Sequence, residues 1–195
     1  MRLIRHISIA VILSLVSAFN VLKAEPLEFI FEHYSSDEGL PHNSICDIHQ
    51  DKRGYLWLCT WYGLSRYDGN GFVNYTMVPG DYSNLSHNRI LSVNEDSDGY
   101  LWIKTYDYRL YRFDVNAEDF LPVPSGLQGL ETVNAKVGAI VCRESGGVLA
   151  AFPGVGLIDV RPDLSYTLYS ESSGHPIGKD ITDLYCDTEG NAYAV

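Results

Sequence analysis

The side chains of this sequence best suited to chemistry are rings and cations placed at turns. Trp61-Tyr62 and Tyr106-Asp107-Tyr108-Arg109 form two such groups, and His42-Asn43 and His87-Asn88 stand upstream of them. Aromatic rings stack on the apolar faces of sugars, while arginine, histidine and asparagine supply directional hydrogen bonds or meet a carboxylate. The same residue types also build turns and pack repeated units together, so this plainer role stands beside the binding one. No metal site is expected. His42 and His87 occupy equivalent places one repeat apart, which suits a linker cap and not a ligand pair. Asn94-x-Asp96-x-Asp98-Gly99 has the start of a calcium loop, but the glutamate that should end it falls on Thr105. Turn chemistry accounts for those acids.

The elements that must position these groups come from a self-match. Asp51-Lys52-Arg53-Gly54-Tyr55-Leu56-Trp57 returns 45 positions later as Asp96-Ser97-Asp98-Gly99-Tyr100-Leu101-Trp102. The flanks repeat too: Ile45 with Ile90, Thr60 with Thr105, and Leu64-Ser65-Arg66-Tyr67-Asp68 with Leu110-Tyr111-Arg112-Phe113-Asp114. Within each copy, short alternating runs are broken by Asp-x-x-Gly and Gly-rich turns, the pattern of a four-stranded antiparallel meander. Such units stacking apolar faces predict an all-β fold, a β-propeller of four-stranded blades, with a solenoid of hairpins as the alternative. Trp57 and Trp102 are then packing residues between blades, and Asp51, Gly54, Asp96 and Gly99 build the repeated turn.

The blades are expected at about residues 44–78, 89–124, 137–170 and, cut short, 180–195. The third is worn, with Ala150 expected in the tryptophan place; the fourth has Tyr193 there. Residues 27–33 read as a closing strand for a last blade that is missing, so the chain reads as an incomplete propeller of about three and a half blades, the front of a longer protein. On this layout the Trp61–Gly63 and Tyr106–Arg109 turns and both His-Asn linkers share one face. Two carboxylates, Asp47 and Asp183, hold matching inner-strand positions, the best pairing available to a glycosidase or lyase.

The ends and composition bound the function. Arg2 and Arg5 before the apolar run from Ile7 to Phe19, with small residues at Ala18 and Ala24, describe a secretory signal over residues 1–24. Residues 25–195 remain, enough for one domain or part of one. A formal charge of -11 with scattered basic residues argues against a nucleic-acid partner. If Gln50 pairs with Tyr55, Cys46 lies opposite Cys59, and in an exported protein that pair could oxidise. Cys142 and Cys186 read as buried thiols.

The two Gly-Tyr-Leu-Trp segments, the Leu-x-Arg-Tyr/Phe-Asp segments and the Asn-x-Ile starts resemble the regulator-propeller repeat. That repeat builds the exported sensor half of hybrid two-component histidine kinases in Bacteroidetes. The run from Tyr34 to Ile45 looks like the usual opening of its first blade. The resemblance implies a periplasmic, non-enzymatic sensor of an oligosaccharide that signals to a kinase elsewhere in its own receptor chain, itself an inner-membrane protein and dimeric when complete. It implies no cofactor. Trp61, Tyr62, Tyr106, Tyr108, Arg109, His42 and His87 are the candidate ligand residues. The family commonly has glycine where Cys59 and Lys104 stand, and the turn from Tyr106 to Arg109 lacks its glycine. An exported propeller glycosidase or lyase, or a scaffold propeller, is the alternative.

Overall fold

The computed structural model describes residues 29–80, 85–121, 123, 137–175, 177, 178 and 180–195. The expected signal sequence lies outside the described residues. Met1–His33 and Tyr34–Val195 are separate compact units. In the first, Phe29–His33 belongs to no strand, and Phe29, Ile30 and Phe31 are exposed.

The second unit is all-β. Strands β1 (Ile45–Gln50), β2 (Leu56–Thr60), β3 (Gly63–Tyr67) and β4 (Phe72–Tyr75) form one antiparallel sheet in chain order. β5 (Ile90–Glu95), β6 (Tyr100–Thr105), β7 (Leu110–Asp114) and β8 (Asp119–Leu121) form a second. β9 (Ile140–Cys142), β10 (Val148–Phe152), β11 (Gly156–Val160) and β12 (Tyr166–Tyr169) form a third, and β13 (Leu184–Cys186) pairs with β14 (Ala192–Ala194) as a hairpin.

The repeated aspartate sets each β1–β2 type turn and orients the next core residue. Asp51 Oδ1 accepts from the Arg53 and Tyr55 amides, both at 2.9 Å, and Oδ2 accepts from the indole Nε1 of Trp57 at 2.9 Å. Asp96 does the same for Asp98, Tyr100 and Trp102 at 3.0, 3.0 and 2.9 Å. In the hairpin, Asp187 accepts from the Glu189 and Asn191 amides, and the Tyr193 hydroxyl takes the indole's place at 3.1 Å. Gly54 and Gly99 close these turns at φ of 91° and 85°, where a side chain would be strained.

Each blade inserts its oriented residue into the next. Trp57 is fully buried among Ile90, Val93, Leu101, Ile103 and Phe113 of the second sheet. Trp102 packs with Val148, Ile158 and Val160 of the third, and with Val137 just before it. Leu149 packs with Ile181 and Leu184 at the hairpin. Truncating one such tryptophan to alanine costs about 3–5 kcal/mol.

The third sheet corrects the sequence alignment. Leu149 pairs with Val141 and Asp159 as Trp57 pairs with His49 and Arg66, so Leu149, and not Ala150, holds the tryptophan place. By the same register Arg143 replaces Asp51, and Asp159 replaces Arg66. In the first two sheets Arg66 and Arg112 lie over the rings of Tyr55 and Tyr100, at 5.0 and 3.6 Å. In the third, which has no tryptophan to serve, Arg143 and Asp159 instead form an ion pair with each other.

The cysteine pairing is also corrected. Gln50 pairs with Leu56, not Tyr55, and the β1–β2 register shifts between Ile45 and Asp47, leaving Cys46 as the extra residue of a bulge. Cys59 therefore faces Asp47. Both thiols are free, Cys46 exposed and Cys59 buried. The bulge recurs between Ile90 and Ser92.

Candidate ligand-binding face

Backbone hydrogen bonds hold the expected turns against the linkers. Thr60 Oγ1 donates to the Gly63 carbonyl at 2.8 Å and accepts from the Tyr62 amide at 3.0 Å, which fixes the Trp61-Tyr62 corner. Gly63 has φ of 118°, and a Cβ there would come within 2.6 Å of the Tyr75 carbonyl oxygen, so the turn needs glycine. In the second turn Tyr108 takes the left-handed conformation itself, with φ of 62°. The amides of Trp61 and Tyr106 donate to the carbonyls of Ser44 and Arg89, at 3.2 and 2.9 Å.

The histidines cap those linkers. His42 Nδ1 accepts from the Ser44 amide and His87 Nδ1 from the Arg89 amide, each at 2.9 Å. An Nδ1 that accepts carries no proton, so in this arrangement Nε2 is the donor. The paired asparagines are structural too: Asn43 Oδ1 accepts from the Ser36 amide at 2.7 Å and Asn88 Oδ1 from the Met77 amide at 2.6 Å.

The outcome is a row of alternating flat groups across two blades. The ring centroids of His42 and Trp61 are 5.6 Å apart, and those of His87 and Tyr106 are 5.7 Å apart. Between Trp61 and Tyr106 lies Arg89, its guanidinium carbon 4.2 Å from one ring centroid and 4.3 Å from the other. Each such contact contributes about 0.5–2 kcal/mol, depending on desolvation. Trp61 and Tyr106 remain 46% and 47% exposed, leaving ring surface open to a ligand. Tyr62 and Tyr108 are exposed on the same two turns, and Arg109 Nε stands 3.3 Å from Asp107 Oδ2.

Sequence reasoning missed Arg89. The available signal was a break in the repeat, because Arg89 occupies the position of Ser44 and follows the His-Asn pair directly.

Other places in the molecule are less suited to a ligand. A cleft of about 350 Å³ lies at the opposite ends of the strands, lined by Lys52, Glu95, Asp96, Cys142, Arg143 and Glu144. Both of its cations are already engaged. Lys52 Nζ donates to the Asp96 and Ser97 carbonyls, both at 2.8 Å, and Arg143 is paired with Asp159. Asp96, from the calcium-like run, spends both carboxylate oxygens on its turn and on Trp102.

Asp47 and Asp183 are likewise committed to the backbone. Asp47 accepts from the Ile48 amide at 2.9 Å and, across the blade boundary, from Val93 at 3.1 Å; Asp183 accepts from Leu184 at 2.8 Å. Lys104 donates to the Gly138 carbonyl at 2.6 Å. Burial lowers its ammonium pKa, and the charges of Asp183 and Asp47 oppose that. The three groups form a mixed-charge arrangement, and Asp47, fixed by two amides, is ill placed to shuttle a proton.

Known proteins resemble parts of this chain. The family model described as "Two component regulator propeller" matches residues 39–62 and 84–107, the two spans that carry the His-Asn linkers, the aspartate turns, Trp57 and Trp102, and the first ring of each candidate turn. "Histidine kinase P4" of Formosa agariphila is 40% identical over 65 residues, which cover 33% of this chain and 5% of that protein. The chain thus matches about one-twentieth of that relative's length.

Two structures of an extracellular domain from B. thetaiotaomicron share the fold. One, described as a putative one-component system, has a TM-score of 0.58 at 23% identity, covering 80% of this chain and 21% of that one. The other, described as a putative hybrid two-component system, has a TM-score of 0.54 at 24% identity, covering 78% and 22%. This chain thus has a β-propeller-type fold of four-stranded blades, and two of its stretches match the two component regulator propeller model.

Proposed function

We propose that this chain is the ligand-sensing propeller portion of an exported hybrid two-component regulator, one that recognises an oligosaccharide in the periplasm and signals to a histidine kinase carried elsewhere in its receptor. The observation that carries the ligand half is the pair of exposed rings, Trp61 and Tyr106, held on neighbouring blades by backbone bonds and stiffened by Arg89 between them. Rigid rings at a fixed spacing meet two sugar faces without losing side-chain freedom on binding. The matched repeat supports the regulatory half.

No catalysis is assigned to this segment: its inner-strand carboxylates hold amides in place, which favours a binding role over a hydrolytic one. The test is calorimetric titration of the intact protein with oligosaccharides, alongside Trp61→Ala and Tyr106→Ala variants. Binding without turnover, weakened by both substitutions, is the expected result. Unchanged affinity and signalling in both variants would remove this face from the function.

A further inference from the structure

The charge of Arg89 serves no partner among the described residues. Arg66, Arg109 and Arg143 stand against Glu118, Asp107 and Asp159, whereas Arg89 makes ring contacts alone; its Nε, like those of Arg66, Arg112 and Arg143, is buried with no hydrogen-bond partner. Arg112 also stacks on rings, but it is 7% exposed and belongs to the packing beneath Tyr100 and Trp102. Arg89 is only half-buried and lies on the face with the exposed rings. Acids are not scarce, since aspartate and glutamate number 25 against 14 lysines and arginines. An arginine left without a carboxylate in so acidic a chain costs solvation that a ligand could restore.

Geometry limits what that ligand is. With its guanidinium carbon over the rings of both Trp61 and Tyr106, Arg89 has its N–H edge left for bonding. That edge matches the paired oxygens of a carboxylate or the oxygens of a sulfate. The flanking His42 and His87 have Nδ1 occupied by backbone amides, which makes their outer nitrogens donors as well. The row therefore offers apolar faces and donors. We propose that this face takes an acidic oligosaccharide, and that Arg89, held between Trp61 and Tyr106, receives its carboxylate or sulfate group. This rests on the oligosaccharide reading above and narrows it to one chemical class.

The experiment is calorimetric titration of the intact protein with three galactose-based probes: neutral galactotriose, trigalacturonic acid and a sulfated carrageenan tetrasaccharide. Wild type is compared with Arg89→Met, which keeps a packed stem without the charge, and with Arg89→Lys, which keeps the charge without the planar fork. Wild type should bind at least one acidic probe about tenfold or more tighter than the neutral one, with affinity falling as salt rises. Arg89→Met should abolish that preference and leave the melting temperature within a few degrees; Arg89→Lys should restore part of it. The stronger acidic probe identifies carboxylate or sulfate as the anion. Equal binding of neutral and acidic probes, insensitive to Arg89→Met but lost in Trp61→Ala, would overturn the acidic preference and leave the sugar face standing. Binding of none of the three would overturn both.

Discussion

Replacing Asp51 with asparagine tests the central device of the repeat, a carboxylate that ties a turn to the core residue of its own blade. Asp51 and Trp57 are 4% and 0% exposed, so water cannot replace a lost partner. The asparagine oxygen can still serve the Arg53 and Tyr55 amides, but its NH2 group must then face the indole N–H of Trp57. A charge-assisted hydrogen bond of about 1.5–3 kcal/mol disappears, and buried donors are left without acceptors at about 1–3 kcal/mol. Turning the amide over is no remedy, because it would set the NH2 against two amides instead of one. Partial relaxation brings the expected cost to about 3 kcal/mol, or about 6–12 °C in the melting of a domain this size.

Calorimetry or urea unfolding of the intact protein, followed by tryptophan fluorescence, reads this directly. Trp57→Phe should cost clearly less in the Asp51→Asn background than in wild type, because the shared bond is already gone. Asp96→Asn should behave the same way through Trp102. A melting temperature for Asp51→Asn within about 2 °C of wild type, or strictly additive effects with Trp57→Phe, would refute the reasoning.

Two further outcomes follow from titratable groups. Burial pushes the Tyr75 hydroxyl up to about 12, with Glu118 close enough to disfavour the phenolate further and Arg66 opposing. Its folded pKa lies above its unfolded one, so its contribution is fully present below about pH 10 and is lost as pH rises toward 12. Wild type should therefore lose about 1 kcal/mol more than Tyr75→Phe between about pH 9 and pH 11.5, allowing for solvent screening; equal losses in the two proteins would contradict this. Under native conditions iodoacetamide should label the exposed Cys46 and spare Cys59, whose thiol burial pushes up, followed in size by the charge of Asp47. Equal labelling of the two, or a Cys46–Cys59 disulfide in peptide mass spectrometry, would count against the bulged register.

The architecture was legible in the sequence because the strongest residues of the repeat are also its mechanical ones. Aspartate, glycine and tryptophan recur at fixed spacing since each turn must close, orient and pack in the same way. The face bearing Trp61, Tyr106, His42 and His87 followed from which turns share an end of a four-stranded sheet. What was not legible depended on register. A bulge adds one residue without disturbing the alternation around it, so Cys46 was paired with Cys59 when it is in fact the extra residue. In the third blade the aspartate and tryptophan are gone and two glycines, Gly146 and Gly147, stand where one marks the turn, so strand pairing decides that Leu149 stands for Trp57. Arg89 escaped notice because its role comes from two rings on different blades, which no local pattern joins.

The inverted pair Arg143 and Asp159 bears on how a chain of near-identical units finds its correct neighbours. Repeats that look alike can exchange strands while folding, and such swaps are a common failure of repeat proteins. The third unit carries its charges the other way round, so a strand taken from it would bring the wrong sign to either of the first two. β11 placed in the first blade would set Asp159 where Arg66 pairs with Glu118, an acid in place of the cation. β3 placed in the third blade would set Arg66 against Arg143. Each mistake sets like charges against each other and is disfavoured. The inversion thus sets the third unit apart from the first two, which carry their charges the same way round.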